Sequence, residues 1–274
     1  MTRRTLLASI PLVAWRSAAA AAVETRPGID QQEQFLKSAE IVRRSTLSEG
    51  VTGSVRATLR QGGFSHDAHI QSVDIHKSIL TTSLGTEINF RDTYKHNIAA
   101  YRLARLLDVG MIPPSVERRV DRTDAAVTWW VDDVLMTEKE RFFKKIDPPQ
   151  VHRWNDQMHV VRVFDQLIYN MDRNLGNLVI NKGWDIWMID HTRAFRLHRR
   201  LRSPSALERC DRALLEALRS MDRPAVEAEL EPFLTGPEIE ALLARRERIV
   251  ELFDEKVRNL GENAVLYELL TVRR

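Results

Sequence analysis

Asp172, Asn177 and Asp190 are oxygen-bearing side chains spaced so that they could share one site. Asn177 follows Asp172 by five residues, and Asp190 lies thirteen beyond Asn177, across a short apolar stretch that turns at Asn181-Lys182-Gly183. Carboxylate and amide oxygens are hard ligands that suit magnesium or manganese. A cation there would bridge phosphates, and Asp172 would orient or deprotonate an attacking hydroxyl. Phosphoryl transfer needs that combination of positioning and charge neutralisation. The plain alternative is that each residue caps a turn, a common role for Asp and Asn beside glycine.

Local elements must deliver these three residues to one point. Upstream, Val160, Val163, Phe164, Leu167 and Ile168 recur at helical spacing, so a helix ending near Asn170 would present the loop. Leu178 to Ile180 and Trp184 to Ile189 read as the strands of a hairpin that carries Asp190 back. The rest of the chain reads as helical. Thr235 to Glu238 is a capping box opening a long helix with Leu242, Leu243, Ile249, Leu252 and Phe253.

The first half reads differently. Ile41 to Leu47, Val55 to Leu59 and Ala68 to Ile75 suggest strands, with Gly62-Gly63 as a turn and Ser78 to Asn89 as a polar loop. A helix runs from Asp92 to about Asp108, stopped by Gly110 and Pro113-Pro114. SVERRV and AVTWWVDDVL add two strands around a turn at Asp121 to Asp124. The fold class is therefore α+β. It has two lobes: a small strand-rich N-lobe at 39–135, and a larger, mainly helical C-lobe at 136–274 with an embedded β-hairpin.

That order resembles a protein kinase-like fold, and the DRNLGN stretch followed by IDHTRAF resembles the atypical kinases. These include phosphoinositide kinases, HipA-type bacterial kinases and secretory-pathway kinases of the Golgi. The helix at Tyr94 to Leu107, with Ile112-Pro113-Pro114 after it, is similar to the bacterial members. The resemblance implies ATP as cosubstrate or ligand, Mg²⁺ or Mn²⁺ held by Asn177 and Asp190, and Asp172 as base. It also implies a phosphate-covering loop at Ser48 to Ser54, with Gly50, Gly53 and Ser54 near the phosphates. Trp129 to Leu135 would be the interlobe connection, holding adenine near Val131. Each has a bland counterpart: the loop is equally a hairpin turn, and paired tryptophans are often packing residues.

The N-lobe departs from the kinase pattern. The strand lysine that reaches the α- and β-phosphates aligns with Gln71, and its helix glutamate aligns with Asn97. Losing both together avoids a lone buried charge. Lys77 or Arg56 would be the substitutes. Past Asp190, Arg193, Arg196, Arg199, Arg200 and Arg202 sit where an activation segment would bind substrate, with Arg193 and Arg196 as candidate contacts. A solvated basic face explains the run equally well. The histidines lack zinc-ligand spacing.

Composition narrows the classes. One cysteine, Cys210, excludes an internal disulfide and a Cys-based zinc site. Residues 1–22, with Arg3-Arg4, an apolar run and a string of alanines, resemble a twin-arginine export signal; residues 23–38 read as a linker. Without Arg3, Arg4 and Arg16 the chain has 38 basic and 38 acidic residues, so a pI of about 9.1 is no argument for nucleic-acid binding. No other stretch suits a membrane span. The expectation is an exported, periplasmic or extracellular phosphotransferase with nucleotide and an unidentified protein, lipid or small-molecule acceptor as partners. A catalytically impaired pseudokinase acting as a scaffold is the second reading. A fold with no nucleotide role, its aspartates capping turns, is the third.

Overall fold

The computed structural model describes residues 27–46, 54–82 and 85–269; the expected signal segment, Gly50 and Gly53 lie outside them. Helix α1 (Ile29–Ser38) leads into strands β1 (Glu40–Thr46), β2 (Val55–Gln61) and β3 (Phe64–Gln71). A hairpin follows, β4 (Asp74–Thr82) and β5 (Gly85–Thr93), then helix α2 (Tyr94–Leu106), β6 (Ser115–Val120) and β7 (Thr123–Trp129). One antiparallel sheet runs in the order β1-β2-β3-β7-β6. Gly62 and Gly63 turn β2 into β3 with positive φ, 56° and 86°, a region that glycine enters without steric cost.

Residues 29–38, within the expected linker, are α1. Polar residues dominate the segment, but Phe35 and Leu36 share one face and are buried on the sheet among Ala57, Leu59, Ala68 and Val127. Packing supplies the stability that composition conceals. The expected loop at 78–89 is largely the β4–β5 hairpin, with Ile79 paired to Ile88. Both isoleucines are exposed. No buried face imposes alternation there, so β-branched cross-strand pairing carries the strands.

AVTWWVDDVL divides between two sheets. Its first half is β7; Trp130 to Asp133 cross over, and β8 (Val134–Thr137) joins β9 (Leu178–Asn181) and β10 (Ile186–Met188) in a second sheet, order β10-β9-β8. Helices α3 (Glu138–Lys144) and α4 (Val151–Leu167) lie between β8 and β9. Strand β11 (Cys210–Asp211), α5 (Arg212–Ser220), α6 (Arg223–Leu230), α7 (Gly236–Leu260), α8 (Glu262–Val265) and β12 (Leu266–Tyr267) complete the chain. The Thr235–Glu238 capping box opens α7 as expected. The C-terminal core gathers Val163, Phe164 and Leu167 of α4, Leu242 and Phe253 of α7, and Ala99 and Leu103 of α2, so α2 belongs to both lobes. Among the described residues no helix is long and apolar enough to cross a membrane.

Candidate active site between the two lobes

Helix α4 closes at Leu167, and the chain reverses through Tyr169, whose φ is 50°. Asn170 is buried and fixes the turn from both sides: its Nδ2 donates to Asp165 Oδ1 (3.1 Å), and its Oδ1 accepts from the Asp172 amide (3.0 Å). The Asp172 side chain is left about half-exposed, at 47%. Asn177 Nδ2 donates to the Asp172 carbonyl (3.2 Å), so Oδ1 is the oxygen left to face a ligand.

Arg173 joins the two arms of the loop. It pairs with Asp165 (2.9 Å) and donates from Nη1 to the carbonyls of Asn177 (3.0 Å) and Ile189 (2.8 Å). The Ile189 amide donates to the Asn177 carbonyl as well (3.0 Å). These bonds fix Asn177 against the residue that precedes Asp190. Asp190 itself is exposed and has φ of 55°, the left-handed region, where strain in a non-glycine residue persists only if neighbours impose it.

The segment after Asp190 is held by α2 and the strand before it. The His191 amide donates to Asn97 Oδ1 (2.6 Å), and the Thr192 carbonyl accepts from the Thr93 amide (3.0 Å) and meets His96 Nδ1 (2.9 Å). Arg193 Nε donates to Asp92 (2.8 Å), while its Nη1 lies 3.5 Å from Asp172. That hydrogen bond to Asp92 holds the Arg193 guanidinium above its usual range. Gln71 and Asn97, aligned with the missing ion pair, are buried and bonded to each other at 2.6 Å.

His96 also meets Glu238 of α7 (3.2 Å), and Glu238 pairs with Arg91 (2.5 Å). Burial pushes the Glu238 carboxyl up, but the His96 contact, the Thr235 amide and Arg91 outweigh it and bring it to about 2. A charged carboxylate thus ties α7 to the base of α2.

Other candidates fall elsewhere. Val131 lines a cavity of about 470 Å³ at the crossover with Trp130, Arg56, Thr58 and Asp67. Arg56 stacks 4.3 Å over Trp130 and pairs with Asp67 at 2.6 Å, so its charge is taken up locally. Lys77 is exposed on β4, opposite Phe90 in a hairpin separate from the sheet that holds Gln71. Ser54 is buried at the head of β2. Arg196 is not at the surface: it is 6% exposed, bonded to Glu87 (2.9 Å) and the Arg91 carbonyl (2.9 Å), and stacked on Phe90. Its guanidinium binds the β4–β5 hairpin to the C-lobe, so it is not the exposed cation the arginine run suggests. Arg199, Arg200 and Arg202 are exposed.

Sequence reading passed over Arg173, Asp165, Asn170 and His191. Their only local trace is polarity inside an apolar neighbourhood, such as Asp165 directly after Phe164. As a metal donor set, Asn177 and Asp190 are few. No group of three or more His, Cys, Asp or Glu residues converges among the described residues. One carboxylate and one amide suit Mg²⁺ or Mn²⁺ that takes its remaining ligands from water and phosphate.

No known family profile and no curated protein sequence matches the chain. Solved structures do. A hydra Fam20 structure with sugar superposes with a TM-score of 0.67 at 16% identity, covering 89% of this chain and 93% of that one. The Golgi casein kinase gives 0.61 at 15% identity, over 89% and 80%, and it has also been solved with Mn/ADP bound. The Helicobacter pylori proinflammatory kinase CtkA gives 0.51 at 10% identity, over 82% and 98%. The chain carries the atypical protein kinase-like fold.

Proposed function

We propose that the protein is a kinase-like phosphotransferase that binds a metal nucleotide between its lobes, 39–135 and 136–274, and phosphorylates a hydroxyl acceptor. Nucleotidyl transfer at the same site is the variant reading. The observation that supports the proposal is the double anchorage of the Asn177 and Ile189 carbonyls on Arg173, which fixes the Asn177 backbone beside the residue that precedes Asp190. The metal supplies charge neutralisation for the phosphates when bound. Asp172 orients the acceptor hydroxyl and takes its proton as the bond from its oxygen to the γ-phosphorus forms and the bond from that phosphorus to the leaving ADP breaks. Asn177 and Asp190 present oxygens to the cation. Val131 and the Trp130 cavity suit the base of ATP, and Ser54 with Gly50 and Gly53 the phosphates. Arg193, beside Asp172, would meet an anionic group of the acceptor.

The second reading, a pseudokinase that binds nucleotide without turnover, is favoured by the uncharged Gln71–Asn97 pair. Export on a twin-arginine-like signal at residues 1–22 belongs to both. Thermal unfolding of the protein with ATP and Mg²⁺ or Mn²⁺, beside Asp190→Ala, tests the site. A metal-dependent rise in the wild type alone is expected; no rise in either protein overturns nucleotide binding.

A further inference from the structure

The contacts that enclose the metal end form one unbroken chain across the lobes. It starts on β3, where Gln71 Oε1 accepts from Asn97 Nδ2 (2.6 Å). Asn97 Oδ1 accepts from the His191 amide (2.6 Å). His191 Nε2 meets Arg173 Nη2 (3.0 Å), and Arg173 pairs with Asp165 on α4 (2.9 Å). Gln71, Asn97 and His191 are buried; the Arg173 and Asp165 side chains are each 12% exposed. The Arg173 guanidinium can only donate, so His191 Nε2 accepts and its ring proton lies on Nδ1.

An ordinary kinase fastens its N-lobe helix with a lysine–glutamate pair that also touches phosphate. Here the helix residue reaches past the strand and holds the backbone next to Asp190. We infer that Gln71, Asn97, His191 and Arg173 are positioning residues that set the Asn177–Asp190 geometry from both lobes, with the neutral Gln71–Asn97 hydrogen bond on the N-lobe side standing where the ion pair stands elsewhere. Gln71 and Asn97 then do not bind phosphate as a substitute pair; they act through the His191 backbone. The inference rests on the metal-nucleotide reading of the site.

Calorimetric titration with ATP, with and without Mn²⁺, tests it on wild type, Asn97→Leu, Asn97→Asp and Arg173→Lys. Asn97→Leu and Arg173→Lys should lose about 10–100-fold of the Mn²⁺-dependent affinity, the usual cost of removing outer-shell support, with metal-free affinity within about twofold. Asn97→Asp keeps the acceptor for the His191 amide, and Gln71 can turn its amide to donate to it, so this variant should retain more of the Mn²⁺-dependent affinity than Asn97→Leu although the buried charge lowers its stability. Mn²⁺ dependence preserved in folded Asn97→Leu or Arg173→Lys overturns the inference. Absence of Mn²⁺ dependence in the wild type overturns both the inference and the reading beneath it. Hydrogen exchange needs no ligand and covers a variant too unstable to titrate. The His191 amide should be protected in the wild type and, measured relative to core amides of α7 in the same protein, exchange at least about tenfold faster in Arg173→Lys, whose substitution does not touch that bond. An unprotected His191 amide in the wild type also overturns the inference.

Discussion

Arg193 stands 3.5 Å from the Asp172 carboxylate while its Nε is bonded to Asp92 at 2.8 Å. The candidate base therefore has a cation beside it whose position is set from the other lobe. Asp92 is 2% exposed, and its Oδ1 has no hydrogen-bond partner among the described residues. Arg193→Met should consequently destabilise the fold by about 3 kcal/mol, because it strands a buried carboxylate. Chemical denaturation of wild type and variant measures this.

Asp172→Asn separates binding from chemistry. The amide preserves shape, and the loop is held through Asn170 and Arg173 rather than through the Asp172 side chain. Nucleotide affinity should stay within about twofold of wild type, whereas phosphoryl transfer should fall by ~10²–10⁴, the usual contribution of a positioned base. Radiolabelled ATP turnover, with the titration alongside, gives both numbers.

Gln71 and Asn97 allow a charge-restoration cycle. Gln71→Lys alone buries an ammonium against the Asn97 amide, and Asn97→Glu alone buries a carboxylate against Gln71. Each should cost about 2–4 kcal/mol, since an uncompensated buried charge costs far more than a broken neutral hydrogen bond. The double variant should recover at least about 1 kcal/mol relative to the sum, a coupling visible in urea unfolding of the four proteins. Strict additivity would mean that the side chains no longer meet.

The parts of this site that were readable from sequence are those fixed within a short span. Asp172, Asn177 and Asp190 sit on one loop and one hairpin, as their spacing and turn chemistry suggest. The Gln71–Asn97 match needed only a strand aligned with the helix after it. Arg173 was unreadable because two of its partners are backbone carbonyls, of Asn177 and Ile189, which no side-chain pattern encodes. Arg196 looked like one more surface cation in an arginine run. Its burial depends on Glu87 and Phe90, roughly a hundred residues earlier. Helix α1 and the β4–β5 hairpin were lost for opposite reasons. One hides two buried apolar residues in a polar segment, and the other exposes isoleucines where periodicity predicts a covered face.

Acid stability should fall in two windows that belong to different residues. Burial pushes His69 on β3 down to about 4, and buried His96, His159 and His191 are lowered as well. The unfolded chain takes up the His69 proton from about pH 6.5 downward, while the native state refuses it until about pH 4. Stability therefore drops as pH falls from 6.5 towards 4, by up to about 1.4 kcal/mol per pH unit for His69. His69→Gln should remove about one proton from that slope. Glu238 acts lower down: its folded value of about 2 lies below the ordinary 4.5, so its contribution is full above 4.5 and is lost as pH falls towards 2. The loss is on the order of 3 kcal/mol. Glu238→Gln should be less stable than wild type at neutral pH, yet converge with it near pH 2. Denaturant midpoints between pH 7 and pH 2 check both windows, and a parallel offset of Glu238→Gln at every pH would remove Glu238 from the lower one.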